Sequence, residues 1–223
     1  MKKVTAIGEG KRRKGRANIF LDDKFAFSLE AGVVQKEGLR VGQELSEGDI
    51  EALNSAELSQ RCLNAALRYL AYRPRSQAEL KERLARRGFD GETIAAALAR
   101  LKEQGLVDDL AFARFWKENR QSFSPRSQWL VRRELKAKGV AEELIARVVD
   151  VDDEESAYQA AMAKAHRLPV NDYDDFRRRL GEYLKRRGFS YGVINNTLKK
   201  VWAEVKEGGG KDNNEGGETW KWE

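Results

Sequence analysis

The sequence predicts a mainly α protein, a set of tandem three-helix repeats in an elongated curved array, with a small β-hairpin-containing region at its N-terminal side. Three observations predict it. One spacing is written three times: a helix ending in basic residues, a glycine, and a second helix, centred on Gly88, Gly139 and Gly188. Counted from each glycine, the residues eight before are Leu80, Val131 and Leu180, and four before are Leu84, Leu135 and Leu184. Six after stand Ile94, Ile145 and Ile194, and ten after Leu98, Val149 and Leu198, so all twelve positions are aliphatic. Finally, 35% charged residues and a mean hydropathy of -0.69 imply much surface per residue.

The elements follow in order. Residues 1–55 read as a β-rich cap. Val4–Ile7 resembles a short strand, Lys11 to Arg16 a basic turn, and Asn18–Leu21 and Phe25–Leu29 around Asp22-Asp23-Lys24 a hairpin. Phe25, Phe27 and Leu29 alternate with small residues, which predicts that all three share one buried face. Ala31–Lys36 predicts a short helix, and Ser46 caps another that runs to Leu53.

Residues 56–108 form the first repeat, 109–152 the second and 153–207 the third, nine helices in three triplets. Leu58, Cys62, Ala65, Ala66, Tyr69 and Leu70 recur at helical spacing before Pro74. Pro74-Arg75-Ser76-Gln77 and Pro125-Arg126-Ser127-Gln128 open matching helices. Ser76 with Glu79 makes a capping box, of which Ser127 keeps only the hydroxyl half because Leu130 occupies the acid's place. The three glycines end helices in the left-handed conformation, behind basic residues that oppose the negative helix end. Gly105 ends another helix, and Leu110–Asn119 carries Phe112, Phe115 and Trp116. Residues 208–223 are glycine-rich and polar and predict a disordered tail, in which Trp220 and Trp222 are given no ordered role.

Composition excludes several chemistries. A single cysteine, Cys62, allows no internal disulfide or thiolate metal cluster, and the single histidine, His166, allows no multi-histidine site. Cys62 reads as a packed thiol and His166 as a helix C-cap. The acid pairs Asp22-Asp23, Asp108-Asp109 and Asp152-Asp153 stand where turns and helix starts call for acids. No phosphate loop of the Walker type, GxGxxG turn or serine–histidine–aspartate set is present, so the chain reads as a non-enzyme without cofactor or metal. No run approaches a membrane span and the opening Met1-Lys2-Lys3-Val4-Thr5 lacks the apolar run of a secretory signal, which predicts a cytoplasmic protein with no membrane partner.

Basic residues remain. Residues 61–149 hold 19 Lys and Arg against 11 Asp and Glu, an excess of 8 within a chain of net charge +6. The expected partner-binding set is Arg73, Arg75, Arg83, Arg86 and Arg87 in the first repeat; Arg126, Arg132, Arg133, Lys136 and Lys138 in the second; and Arg177, Arg178, Lys185, Arg186 and Arg187 in the third. Stacked repeats would align these as a track for a phosphate backbone or an acidic protein filament. The same residues also serve as helix ends on solvated faces.

Tyr69-Leu70, Arg73-Pro74-Arg75-Ser76, Glu79-Leu80, Leu84, Gly88, Gly105–Asp109 and Phe112-Ala113 resemble the signature of the bacterial regulatory protein RecX family. Glu134–Gly139 and Arg186–Tyr191 resemble its second and third repeats, over about residues 56–205. The resemblance implies curved tandem three-helix repeats, a cytoplasmic, monomeric protein, and as partners the RecA filament, whose strand exchange, ATPase and co-protease activity it restrains, and single-stranded DNA, directly or through RecA. The competing reading is a helix-turn-helix DNA-binding protein. It needs base-reading side chains, yet Thr93–Leu101 and Glu142–Val149 are mainly Ala, Leu, Ile, Val and acids. A nuclease stands third.

Overall fold

The computed structural model describes residues 1–9, 15–168 and 172–209. Most of the expected basic turn and the whole segment with Trp220 and Trp222 lie outside the described residues. The chain divides into two units, residues 1–108 and 109–223.

In the first unit, β1 (Lys2–Glu9), β2 (Arg16–Leu21), β3 (Lys24–Glu30) and β4 (Glu44–Leu45) form an antiparallel sheet of order β3-β2-β1-β4. The β2–β3 turn needs two consecutive positive φ values, supplied by Asp22 (50°) and Asp23 (62°). Lys3 N–H donates to the Asp22 carboxylate at 3.0 Å and Asp23 N–H to Thr5 Oγ1 at 3.0 Å. Odd residues of β2, Ala17, Ile19 and Leu21, face the core with Val4, Leu29, Val33 and Leu45. Phe25 departs from the expected common face: it is 60% exposed and meets Phe20 edge-on at 6.0 Å. The register steps from Ile19↔Phe27 to Phe20↔Phe25, so one extra residue on β3 flips the side-chain parity.

Helix α1 (Ala31–Lys36) matches the expected segment. Helix α2 (Glu47–Tyr72) is one continuous helix where the sequence predicts two shorter ones, because nothing between Leu53 and Glu57 breaks the period. Ser46 and Asp49 cap it reciprocally. Glu57 fastens α2 to the sheet: it pairs with Arg16 at 2.8 Å and accepts from Glu30 N–H at 2.7 Å. Helices α3 (Gln77–Ala85) and α4 (Gly91–Glu103) complete the first triplet over Cys62, Ala66, Leu80, Leu84, Ile94 and Leu98.

The second unit holds α5 (Asp109–Phe123), α6 (Gln128–Ala137), α7 (Glu142–Val148), α8 (Asp153–Ala165), α9 (Tyr173–Arg186) and α10 (Tyr191–Gly209). All twelve aliphatic repeat positions are buried. Gly88, Gly139 and Gly188 take φ of 87°, 74° and 85°. After each, the next N–H reaches the carbonyl five residues back: Phe89 to Leu84 at 3.4 Å, Val140 to Leu135 at 3.1 Å, Phe189 to Leu184 at 3.4 Å. The alanines of α8, Ala157, Ala160, Ala161 and Ala165, let it pack closely on the aromatic pair Phe176 and Trp202. Ser127 N–H donates to Arg187 O at 3.1 Å and Gln128 N–H to Asp153 at 2.6 Å, joining α6 to the triplet that follows.

A candidate basic binding surface

Cys62 is fully buried, and burial pushes its thiol pKa up, away from nucleophile behaviour. His166 is the C-cap of α8, as the sequence reads. Asp22-Asp23 make the hairpin turn, and Asp152 caps α8 through the Glu154 and Glu155 N–H groups. Those residues are occupied by structure.

The fifteen basic positions sort by what they touch. In the first unit, Arg73 forks onto Glu79 at 3.0 and 3.1 Å. Ser76 Oγ accepts from Glu79 N–H at 3.1 Å, so the acid of the expected capping box also anchors a guanidinium. Three guanidiniums surround the Tyr69 ring: Arg83 at 5.4 Å, Arg75 at 5.6 Å and Arg87 at 5.7 Å. Arg75 is only 8% exposed and donates to Tyr69 O at 3.0 Å. Burial, and then the nearby Arg73 and Arg83, lower its pKa. Arg86 lies outside, paired with Glu82 one turn away.

The second repeat answers the same arrangement with a carboxylate. Glu134 stands where Arg83 stands, five residues before the glycine. It pairs with Arg126, takes Arg120 Nε at 2.8 Å and Trp116 Nε1 at 2.8 Å, while Arg120 and Lys138 lie over the Trp116 ring at 4.3 and 4.2 Å. Arg132 donates to Val149 O at 3.0 Å, and Lys136 approaches Glu142 at 3.9 Å. Arg133 covers Trp129, which is 58% exposed.

In the third, Arg187 Nη1 donates to Ser124 Oγ and Pro125 O at 2.9 Å and its guanidinium lies over Tyr183 at 4.5 Å. Arg178 pairs with Asp175. Hydrogen bonding from Asn195 and the charge of Arg177 lower the Tyr191 phenol. Lys185 and Arg186 are exposed and form no ion pair among the described residues.

Sequence reasoning missed a groove of about 550 Å³ between α9 and α10. Its floor is Gly181, Phe189, Ile194 and Leu198, rimmed by Arg177 and Lys185. The signal was present: Gly181 occupies the position of Lys81 and Arg132, and the missing side chain opens the floor.

Comparison with known proteins decides the family. The RecX N-terminal domain family matches residues 2–46, and the first, second and third RecX three-helix domains match residues 62–101, 108–149 and 152–198. The chain belongs to the RecX family. Regulatory protein RecX of Bacillus licheniformis is 31% identical over 92% of this chain and 80% of its own length, and that of Bacillus subtilis 29% identical over 92% and 79%. A crystal structure of regulatory protein RecX, 26% identical, superposes over 87% of this chain and 98% of its own with a TM-score of 0.65. RecX from Lactobacillus salivarius, at 21% identity and a TM-score of 0.54, shares the fold over 66% of this chain and 97% of its own. The tandem three-helix RecX domains and the small N-terminal sheet are those the sequence predicts. Among the described residues no helix is long and apolar enough to cross a membrane.

Proposed function

We propose that this chain is a cytoplasmic, monomeric regulator of the RecA recombinase that binds the RecA filament on single-stranded DNA and restrains strand exchange, ATP hydrolysis and co-protease activity. The observation that carries the reading is the membership of all three helical repeats and the N-terminal domain in one regulatory family. The exposed cations that folding leaves unpaired support it. Lys185 and Arg186 on α9, Arg133 with Trp129 on α6, and Arg83 and Arg87 beside Tyr69 are cations that all fall within the six residues before a repeat glycine, though at different distances from it. Weak contacts repeated along one chain act together on a partner that is itself periodic. Arg73, Arg126 and Arg187 contribute mainly by holding their helices in place, through Glu79, Glu134 and the Ser124-Pro125 turn.

The test is the DNA-dependent ATPase of RecA filaments with and without this protein. A fall in rate that weakens as salt rises is expected, since charge screening acts on exposed pairs. An unchanged rate at saturating protein would sink the regulatory reading.

A further inference from the structure

A polar cleft of about 510 Å³ lies where the N-terminal sheet meets the first helical triplet. Arg61 and Arg68 of α2 line it with Arg87, which follows α3, while Ala65 and Phe89 form part of its lining. The sheet supplies Arg16 and Glu30. Both of these are engaged: Arg16 binds Glu57 and the Ser28 carbonyl, and the Glu30 carboxylate accepts from Asn64 Nδ2 at 2.6 Å. Arg61, Arg68 and Arg87 are all exposed, and among the described residues none has a carboxylate partner. Three like charges facing one cleft repel one another, so the cleft favours an anion.

The dimensions select the anion. Arg61 and Arg68 stand seven residues apart on one helix face, about 10 Å along the axis. A single small anion cannot bridge that span, whereas a chain with evenly repeated charges can. Phe89, half-buried beside Arg87, adds an aromatic surface. Cations that track a backbone combined with an aromatic ring for stacking are the chemistry of single-strand binding.

We infer that this cleft binds the sugar-phosphate backbone of single-stranded nucleic acid directly, with Arg61, Arg68 and Arg87 on phosphates and Phe89 under a base. The inference goes beyond the filament reading because it requires no recombinase. It also gives the N-terminal sheet a task, since Arg16 and Glu30 form one wall.

The experiment is fluorescence anisotropy of a labelled oligo(dT) of about 20 nucleotides with the full chain alone. The double variant Arg61→Ala/Arg68→Ala is compared with Lys2→Ala/Lys24→Ala, which removes the same charge from exposed positions of the same unit. The first pair should weaken binding roughly tenfold or more and lower the salt slope by about 1.4, two single-strand phosphate contacts. The second should leave the slope unchanged. Binding that survives in Arg61→Ala/Arg68→Ala, or no binding of the unmodified chain at low salt, overturns the inference. So does polyglutamate displacing the oligonucleotide as well as unlabelled oligo(dT) at equal charge, which would assign the cleft to an acidic protein. Because both variants change exposed side chains, matched thermal melts separate lost binding from lost folding. The recombinase ATPase is scored separately, so either reading can fail alone.

Discussion

Gly188 touches Ser127 across the junction of two helical triplets. A methyl group on the Gly188 Cα would lie 2.6 Å from Ser127 Oγ and 2.9 Å from Leu130 Cβ, while Ser127 N–H donates to Arg187 O. Gly88 has the same left-handed φ but nothing within 4 Å. The two glycines therefore separate backbone cost from contact cost. Gly88→Ala should lose about 1 kcal/mol, the price of a left-handed alanine, and Gly188→Ala a further 1–3 kcal/mol for overpacking. Urea melts read the difference, and equal losses would show that the junction yields freely.

Glu134 gathers Arg126, Arg120 and the Trp116 indole into one half-buried cluster. Burial, then Arg120 and Arg187, lower the Arg126 pKa, so the cations there depend on that carboxylate. Glu134→Gln keeps the shape and removes the charge. It should destabilise by roughly 2–3 kcal/mol, the usual cost of hydrogen bonds to a charged group. A loss below about 0.5 kcal/mol, the scale of an exposed pair, would place the cluster in solvent.

Acid should weaken the helix starts. Hydrogen bonds to Ser46 hold the Asp49 carboxyl below its ordinary value near 3.8, and those to Thr93 do the same for Asp90. A carboxyl whose pKa is lower when folded contributes stability above its unfolded value, lost as pH falls through the folded one. Melting temperature should thus drop as pH is taken below about 4, and less steeply in Asp49→Asn/Asp90→Asn. Asp153, raised mainly by burial, works in the opposite direction, its contribution fading as pH rises. An acid slope unchanged in the double variant would remove these caps from the account.

Gly181 sits inside helix α9 facing two apolar side chains of α10. A methyl group there would meet Leu198 Cδ1 at 3.7 Å and Ile194 Cγ2 at 4.0 Å, ordinary contacts. Gly181→Ala should raise stability by about 0.5–1 kcal/mol from helix propensity. Destabilisation in a thermal melt would mean that the α9–α10 groove has less room than its walls show.

Lys185→Ala/Arg186→Ala should leave the melting temperature within a degree or two, about the effect of an exposed substitution, and weaken the effect on filament ATPase. Arg187→Ala should do the reverse, losing stability first, because its guanidinium bonds Ser124 and Pro125. The contrast is read by running both variants through the same melt and the same ATPase titration.

Much of this was legible in the sequence because the cause is local. Left-handed glycines, aliphatic spacing, the Ala31–Lys36 helix and the C-cap at His166 each follow from neighbouring residues. What escaped depends on parity or convergence. Phe25 changed face through one bulged residue on β3, and no composition reveals a bulge. Leu110–Asn119 continues to Phe123 because no breaker intervenes before Pro125. The spacing of Arg61 and Arg68 puts them on one helix face, but only folding brings Arg87 and β2 to the same cleft. Arg75, Arg126 and Arg187 read as surface charges from sequence, yet each found carbonyl, carboxylate or ring partners inside the fold.

Helix α2 belongs to two cores at once, giving Leu53 to the sheet and Cys62, Leu63, Ala65 and Ala66 to the first triplet. Twenty-six residues make it a rod of about 39 Å. Neither core can therefore be cut away whole without taking part of the helix that builds the other.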